Sequence, residues 1–272
     1  MSNYKIAILG AGNIGLSIAH GLVVSKQFKA GQITLTRRSL NKLRSWRNDG
    51  FTITKSNKAA VENAQIVILC VEPKQADQVL DQIKDDLNPE THMLISVVSG
   101  LWTKQILKRI GKKIPVVRAM PNTAIAINES MTCLASDNMQ AKILKTAETI
   151  FKTVGQTLII EEAQMGAATA LGACGIAFFL RVVRAASQGG IEAGFHSEDA
   201  LKIAAQTARG AASLLLSAKN HPEQEIDRVT TPRGCTIAGL NQMEHEGLSS
   251  AMIKGIVTSS NLADKLYSNE GE

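Results

Sequence analysis

Up to Ile160, short apolar runs alternate with segments whose apolar residues return every three or four positions. The short runs predict strands over Ile6–Leu9, Ile33–Thr36, Phe51–Ile53, Ile66–Val71, Met93–Val98, Val116–Ala119, Met131–Ala135 and Gln156–Ile160. The periodic segments between them predict helices over Ile14–Val24, Leu40–Asn48, Lys74–Ile83 and Thr103–Ile110. Strand and helix in alternation imply an α/β layer structure with a largely parallel sheet. Near Glu161 the texture changes and strand signals stop. Glu162–Ser187 reads as one long helix of small residues with apolar stripes. Ser197, a good N-cap, and the acids Glu198 and Asp199 start a second helix that continues to about Ala218. A third starts near Thr236 and stops by Gly247, and a fourth runs from about Ser249 to Leu266. The expected division is therefore an α/β domain over residues 1–161 and an all-helical domain over 162–272.

Composition narrows the classes. The chain has 272 residues and is 44% hydrophobic, enough for two modest cores, while aromatics are only 4%, so helices must pack through Ala and Gly. The net charge of +6 suits an anionic ligand. Lys and Arg are spread along the chain without interleaved aromatics, which argues against nucleic-acid binding. No unbroken apolar run of about 18 residues is seen, so no membrane span is expected. Met1-Ser2-Asn3-Tyr4 leads straight into a strand and lacks a signal peptide's layout. Cys70, Cys133, Cys174 and Cys235 form no CxxC, and the five histidines form no HExxH. Reduced thiols in a cytoplasmic protein, with no zinc site, are the expectation.

The first chemical signal is Gly10-Ala11-Gly12-Asn13-Ile14-Gly15, a G-x-G-x-x-G set between a predicted strand and a predicted helix. Gly10 permits the tight turn, Gly12 lets backbone approach a pyrophosphate, and Gly15 lets helix and strand pack closely. This is the mark of a Rossmann-type dinucleotide-binding domain, with Leu9, Gly10, Ala11, Gly12, Asn13 and Ile14 around the phosphates. The second strand ends Thr34-Leu35-Thr36-Arg37-Arg38-Ser39 and has no acid for ribose hydroxyls. Thr36, Arg37 and Arg38 suit a 2′-phosphate, so NADPH is expected in preference to NADH. Cys70, Val71 and Pro73 after the fourth strand, and Val97 and Ser99 after the fifth, should line the same crevice.

A nicotinamide nucleotide without metal ligands implies hydride transfer to a polarised C=O or C=N. Between Glu161 and Gly190 there is neither lysine nor histidine to protonate an alkoxide, which disfavours hydroxyacid dehydrogenases. A protonated cyclic imine needs no strong acid; it must be held, aimed and kept from water. At the other end of the chain lies Asp227-Arg228-Val229-Thr230-Thr231-Pro232-Arg233-Gly234-Cys235-Thr236-Ile237-Ala238-Gly239-Leu240. Thr230 or Thr231 can cap a helix or turn there, and the small residues at a helix start leave bare N–H groups for a carboxylate.

This stretch resembles the signature D-x-V-T-S-P-G-G-T-T-I-A-G-L of the pyrroline-5-carboxylate reductases, and the resemblance extends over nearly the whole chain. It implies NADPH-dependent reduction of Δ1-pyrroline-5-carboxylate to L-proline, in a homodimer built from the C-terminal helices or a larger assembly of such dimers. It assigns the hydroxyl near the ring nitrogen to Thr236, and carboxylate binding to Thr231 and the Gly234–Cys235–Thr236 backbone. Glu162 matches a position lining the substrate pocket, Asn57 one that contacts the nucleotide, and Asn122, in Met120-Pro121-Asn122-Thr123, one near the nicotinamide. There are departures. Glu72 replaces a lysine, Arg233 the first glycine of P-G-G, and Cys235 a Thr or Ala. The family's S-G-S-G-P-A-Y falls within Leu171–Phe178, where two hydroxyls, the proline and the tyrosine are missing. A paralogue acting on another imino acid or oxo acid, or a cofactor-binding regulator without turnover, stays open at this point, as does pairing of Arg233 with the substrate carboxylate.

Overall fold

The computed structural model describes residues 4–137, 141–218, 220–263 and 265–267. The chain packs as two compact units, Met1–Cys174 with Val257–Glu272, and Gly175–Ile256.

The first unit is built on one eight-stranded sheet. Its strands are β1 (Ile6–Leu9), β2 (Ile33–Thr36), β3 (Thr52–Thr54), β4 (Ile66–Leu69), β5 (Met93–Ser96), β6 (Val116–Met120), β7 (Ser130–Ala135) and β8 (Gly155–Ile159). They lie in the order β3-β2-β1-β4-β5-β6-β7-β8. All neighbours are parallel except β6 and β7, which pair with Ala119 opposite Leu134. Ile6 of β1 sits level with Ile33 of β2 on one side and Ile66 of β4 on the other.

Period-two alternation divides the strand residues between two cores. Ile6, Ile8, Ile33, Leu35, Ile68 and Ile95 join one core, covered by Ile18, Ala19 and Leu22 of α1 (Asn13–Val24) and by Leu144, Ala147 and Ile150 of a helix at Ala141–Phe151. The residues between them, Ala7, Leu9, Val67, Leu69 and Leu94, face the other core. Each fully buried Ile or Leu contributes about 1.5–3 kcal/mol relative to exposure.

Around the sheet the remaining helices of this unit, in chain order, are α2 (Arg44–Asn48), α3 (Asn57–Glu62), α4 (Pro73–Ile83), α5 (Thr103–Ile110), α6 (Ala141–Phe151) and α7 (Met165–Ala168). The pattern of apolar residues did not single out α3 or α6. The first is only six residues long, too short to show a period, and is started by Ser56, whose Oγ accepts from the Ala59 N–H at 3.1 Å. The period of α6 is present in Leu144, Ala147, Ile150 and Phe151 but lies between two strand signals. The expected single helix over Glu162–Ser187 is instead a 3-10 turn at Glu162–Gln164, then α7, a π-helical turn at Thr169–Cys174, and α8 (Gly175–Glu192).

The second unit holds α8, α9 (Ser197–Ala218), α10 (Pro222–Val229), α11 (Cys235–His245) and the start of α12 (Leu248–Ala263). The α8–α9 pair closes at Gly190, where an added Cβ would lie 3.2 Å from that of Ala200. Along α8 to α11, Gly175, Ser187 and Ala200 are buried and large apolar side chains stand in solvent, among them Phe179, Leu180 and Leu216 (82% exposed). The packing boundary therefore does not coincide with the texture boundary at 161/162. Met165 and Ala170 are buried in the first unit, as is Ala263 after the chain returns to it. The helical run Glu162–Glu192 is also long and apolar enough, by length and composition, to cross a membrane, although no such span was expected. Its Gly, Ala and Thr residues obscure the run to the eye while leaving 18 consecutive positions with a mean hydropathy of 1.7.

Candidate cofactor and substrate sites

The glycine loop is fixed by contacts on three sides. Gly10 has φ +94, and an added Cβ would meet the Cys70 carbonyl oxygen at 2.5 Å and Val71 Cγ1 at 2.6 Å, so only glycine fits. Ala11 N–H donates to the Thr36 carbonyl at 2.8 Å and Gly10 N–H to Thr36 Oγ1 at 3.2 Å, tying the loop to the end of β2. At Gly15 a Cβ would come within 2.8 Å of the Gly10 carbonyl oxygen, which explains the third glycine. Gly12 differs, because apart from its chain neighbours nothing lies within 4 Å of the Cβ position. It is the N-cap of α1, and neither a side-chain cap nor an acid in the first turn competes for the free N–H groups. The loop thus fits a pyrophosphate.

The expected nucleotide residues form a connected edge to this loop. Thr36 Oγ1 donates to Asn57 Oδ1 at 2.7 Å, and Asn57 Nδ2 donates to Gln82 Oε1 at 2.8 Å. Arg37 donates from Nη1 to the Ala11 carbonyl at 3.0 Å, which holds its guanidinium beside the loop, while Arg38 is exposed. Pro73 is the first residue of α4, where its missing N–H costs nothing, and Glu72 is the N-cap. Burial pushes the Cys70 thiol up to about 12, although the residue as a whole is partly exposed, so it stands in the crevice as a neutral group. Val97 is half-buried and Ser99 Oγ lies 3.9 Å from Met120 Sδ. Asn122 is buried and its side chain is engaged with protein: Oδ1 accepts from Ala124 N–H at 3.0 Å and Nδ2 donates to the Gly172 carbonyl at 3.1 Å.

Glu162 has partners within the first unit that the sequence did not reveal. One carboxylate oxygen, Oε1, accepts from the Thr103 N–H at the start of α5 (2.7 Å) and pairs with Arg118 Nη1 (3.2 Å). Arg118 is buried in mid-β6, with its guanidinium carbon 5.3 Å from the centre of the Trp102 ring. An arginine inside the strand pattern Val116-Val117-Arg118-Ala119 was the available signal for this cluster, because a buried charge requires a partner.

In the second unit, Thr231, Gly234, Cys235 and Thr236 come together in one turn. The Thr230 hydroxyl donates back to the Ile226 carbonyl at 2.7 Å and closes α10, a helix the apolar pattern did not predict. Gly234 N–H donates to the Thr231 carbonyl at 2.9 Å. A Cβ on Gly234 would lie 2.4 Å from Thr231 Oγ1, so the glycine is required by close approach. Neither threonine caps the following helix: Gly234 is the N-cap of α11, without a side-chain cap and with no acid in the first turn. Cys235 is exposed and Thr236 half-buried at this uncapped start. Arg233 takes φ +60, the left-handed region, which explains why the family pattern carries glycine there.

Among the described residues no group of three or more His, Cys, Asp or Glu is arranged to hold a metal. A glycine loop at the head of a parallel sheet, a strand end with arginines in place of an acid, and a following helical unit define a nucleotide-dependent oxidoreductase. Residues 5–100 match the family model described as NADP oxidoreductase, coenzyme F420-dependent, and residues 162–266 match pyrroline-5-carboxylate reductase dimerisation. Pyrroline-5-carboxylate reductase 1 of Dictyostelium discoideum is 54% identical over 97% of this chain, which spans 50% of that protein's length. Pyrroline-5-carboxylate reductase 2 of the same organism is 48% identical, covering 97% of this chain and 93% of its own. The solved structure of a pyrroline-5-carboxylate reductase from Coxiella burnetii superposes with a TM-score of 0.92 at 29% identity, over 98% of this chain and 100% of that one. The chain belongs to the pyrroline-5-carboxylate reductase family.

Proposed function

We propose that this protein reduces Δ1-pyrroline-5-carboxylate to L-proline with NADPH, the last step of proline biosynthesis. The observation that carries the substrate is the start of α11, where the Gly234 N-cap leaves the first N–H groups without a side-chain partner and no acid stands in the first turn. A carboxylate is the natural complement of such a helix end, with Thr231 beside it. Thr236 places a hydroxyl in the same turn for the ring nitrogen. NADPH bound at the glycine loop would supply a hydride to the unsaturated carbon, and the already protonated imine would then become the ring amine without a further acid. Arg37 beside the glycine loop, with Arg38, supports the 2′-phosphate.

The exposed apolar faces of α8 and α9 support a homodimer through the C-terminal helices. The scattered cysteines, free among the described residues, support a reducing, cytoplasmic setting. A second reading, reduction of another cyclic imino acid or of an oxo acid, is favoured by the missing hydroxyls and proline in Leu171–Phe178 and by Arg233.

Parallel assays with pyrroline-5-carboxylate, its six-membered homologue and simple oxo acids separate the readings, and rescue of a proline auxotroph tests the first in cells. A preference for the homologue, or no rescue by an expressed protein, would reject it. Arg37→Asp should lower the NADPH-to-NADH ratio of kcat/KM at least tenfold; an unchanged ratio removes this arginine from cofactor choice.

A further inference from the structure

Asn122 lies where β6 ends at the carboxyl edge of the sheet, the edge at which α/β sheets bind their ligands. Its backbone groups and its side-chain oxygen have partners close by in the sequence. The backbone N–H donates to Ser130 Oγ at 3.1 Å, the backbone carbonyl accepts from Ile125, and Oδ1 caps the 3-10 turn at Thr123–Ile127 by accepting from Ala124 N–H. That last bond fixes the orientation of the amide, since only its oxygen can accept from a backbone N–H. The nitrogen must then face the Gly172 carbonyl, to which it donates across 50 positions of sequence.

Gly172 belongs to the π-helical turn Thr169–Cys174, where the regular i to i−4 ladder is interrupted, and its carbonyl accepts from a donor outside the helix. In an unbroken helix the Gly172 carbonyl would take the N–H of Ile176, four residues on. The family pattern has proline at that position, which has no N–H to give; here Ile176 keeps one, so proline is no longer what holds the turn open. Ala173 of the same turn packs against the cluster of Met120, Cys133, Ala135 and Met165, which includes the last residue of β6.

We infer that Asn122 is a positioning residue: by donating to the Gly172 carbonyl it keeps the helix in its π form and so fixes the backbone that backs the nicotinamide end of the crevice. The inference rests on the reductase reading above. This role works through Gly172 and does not require the amide to touch the cofactor.

Asn122→Asp is the discriminating variant. It keeps the side-chain acceptor for Ala124 N–H, so the cap survives, and it replaces the donor with a second carboxyl oxygen. At pH 8 the carboxylate faces a carbonyl oxygen; kcat is expected to fall at least tenfold against the parent, with KM for NADPH changed less than about threefold, and amide hydrogen exchange over residues 172–176 is expected to quicken. Protonation restores a donor, so the variant-to-parent ratio of kcat should rise as pH falls through the pKa of the introduced carboxyl group. Equal kcat at pH 8, or a loss confined to KM for NADPH with unchanged exchange, overturns the inference. The exchange measurement needs no turnover, so it still decides the structural claim if the parent reduces no pyrroline; that outcome would reject the reading of function instead.

Discussion

Arg233 and Thr236 stand three positions apart and make opposite demands. Arg233 holds φ +60 in the turn before α11, a conformation that costs a residue with a Cβ about 1–2 kcal/mol. Glycine removes that cost but widens the unfolded ensemble by about 0.4–1 kcal/mol. Arg233→Gly should therefore raise stability by less than about 1 kcal/mol in urea denaturation. A loss of stability, or a raised KM for the imine, would show that the guanidinium makes contacts that outweigh its backbone. Thr236→Val keeps the shape and removes the hydroxyl. A loss of about tenfold in kcat/KM is expected, close to 1.4 kcal/mol and the size of one hydrogen bond to a charged group; full activity would exclude the hydroxyl from the reaction. The small residues of a helix start made Thr236 visible in the sequence, whereas Arg233 stood out only as a departure from the pattern that the chain resembles. The backbone angle at Arg233 was not visible, since arginine gives no warning of a left-handed position.

Most strands and several helices with a buried face were legible, although α6, buried through Leu144, Ala147, Ile150 and Phe151, was not. Strands β1, β4 and β5, buried along their length, are found where the apolar runs put them. The third helix, α3, escaped notice because its cap, not a period, defines it. The long helix after Glu162 was legible as helical but not as bent, because its π turn depends on a donor from Asn122, which no local pattern contains. Glu162 shows the same limit. Its carboxylate joins the start of α5 to a buried arginine on β6, a junction of three elements far apart in sequence. Glu162→Ala withdraws that carboxylate from Arg118 and from the Thr103 N–H, and is expected to cost on the order of 3 kcal/mol in thermal or urea unfolding. A change near zero would mean that the Glu162 side chain serves a ligand and not the fold.

At the scale of the whole molecule the two units differ in how much they bury. The sheet unit buries apolar residues on both faces of its sheet, whereas the helices of the second unit expose Phe179, Leu180 and Leu216. Sedimentation velocity at micromolar concentration should give at least twice the chain mass, and Phe179→Glu should shift it towards one chain; a monomeric parent would leave those faces without their expected cover. The sequence by itself determined the alternation of strand and helix, the glycine loop, the absence of an acid after β2 and a start of small residues for α11. Each of these is local: a period, a turn or a cap is set by residues within a few positions of one another. Only the tertiary structure decided that Arg118 meets Glu162, that Asn122 holds a π turn, and that 162–174 pack with the sheet unit. Those pairings join positions tens of residues apart, and a buried charge, amide or carbonyl must find a partner wherever the fold brings one within hydrogen-bond reach.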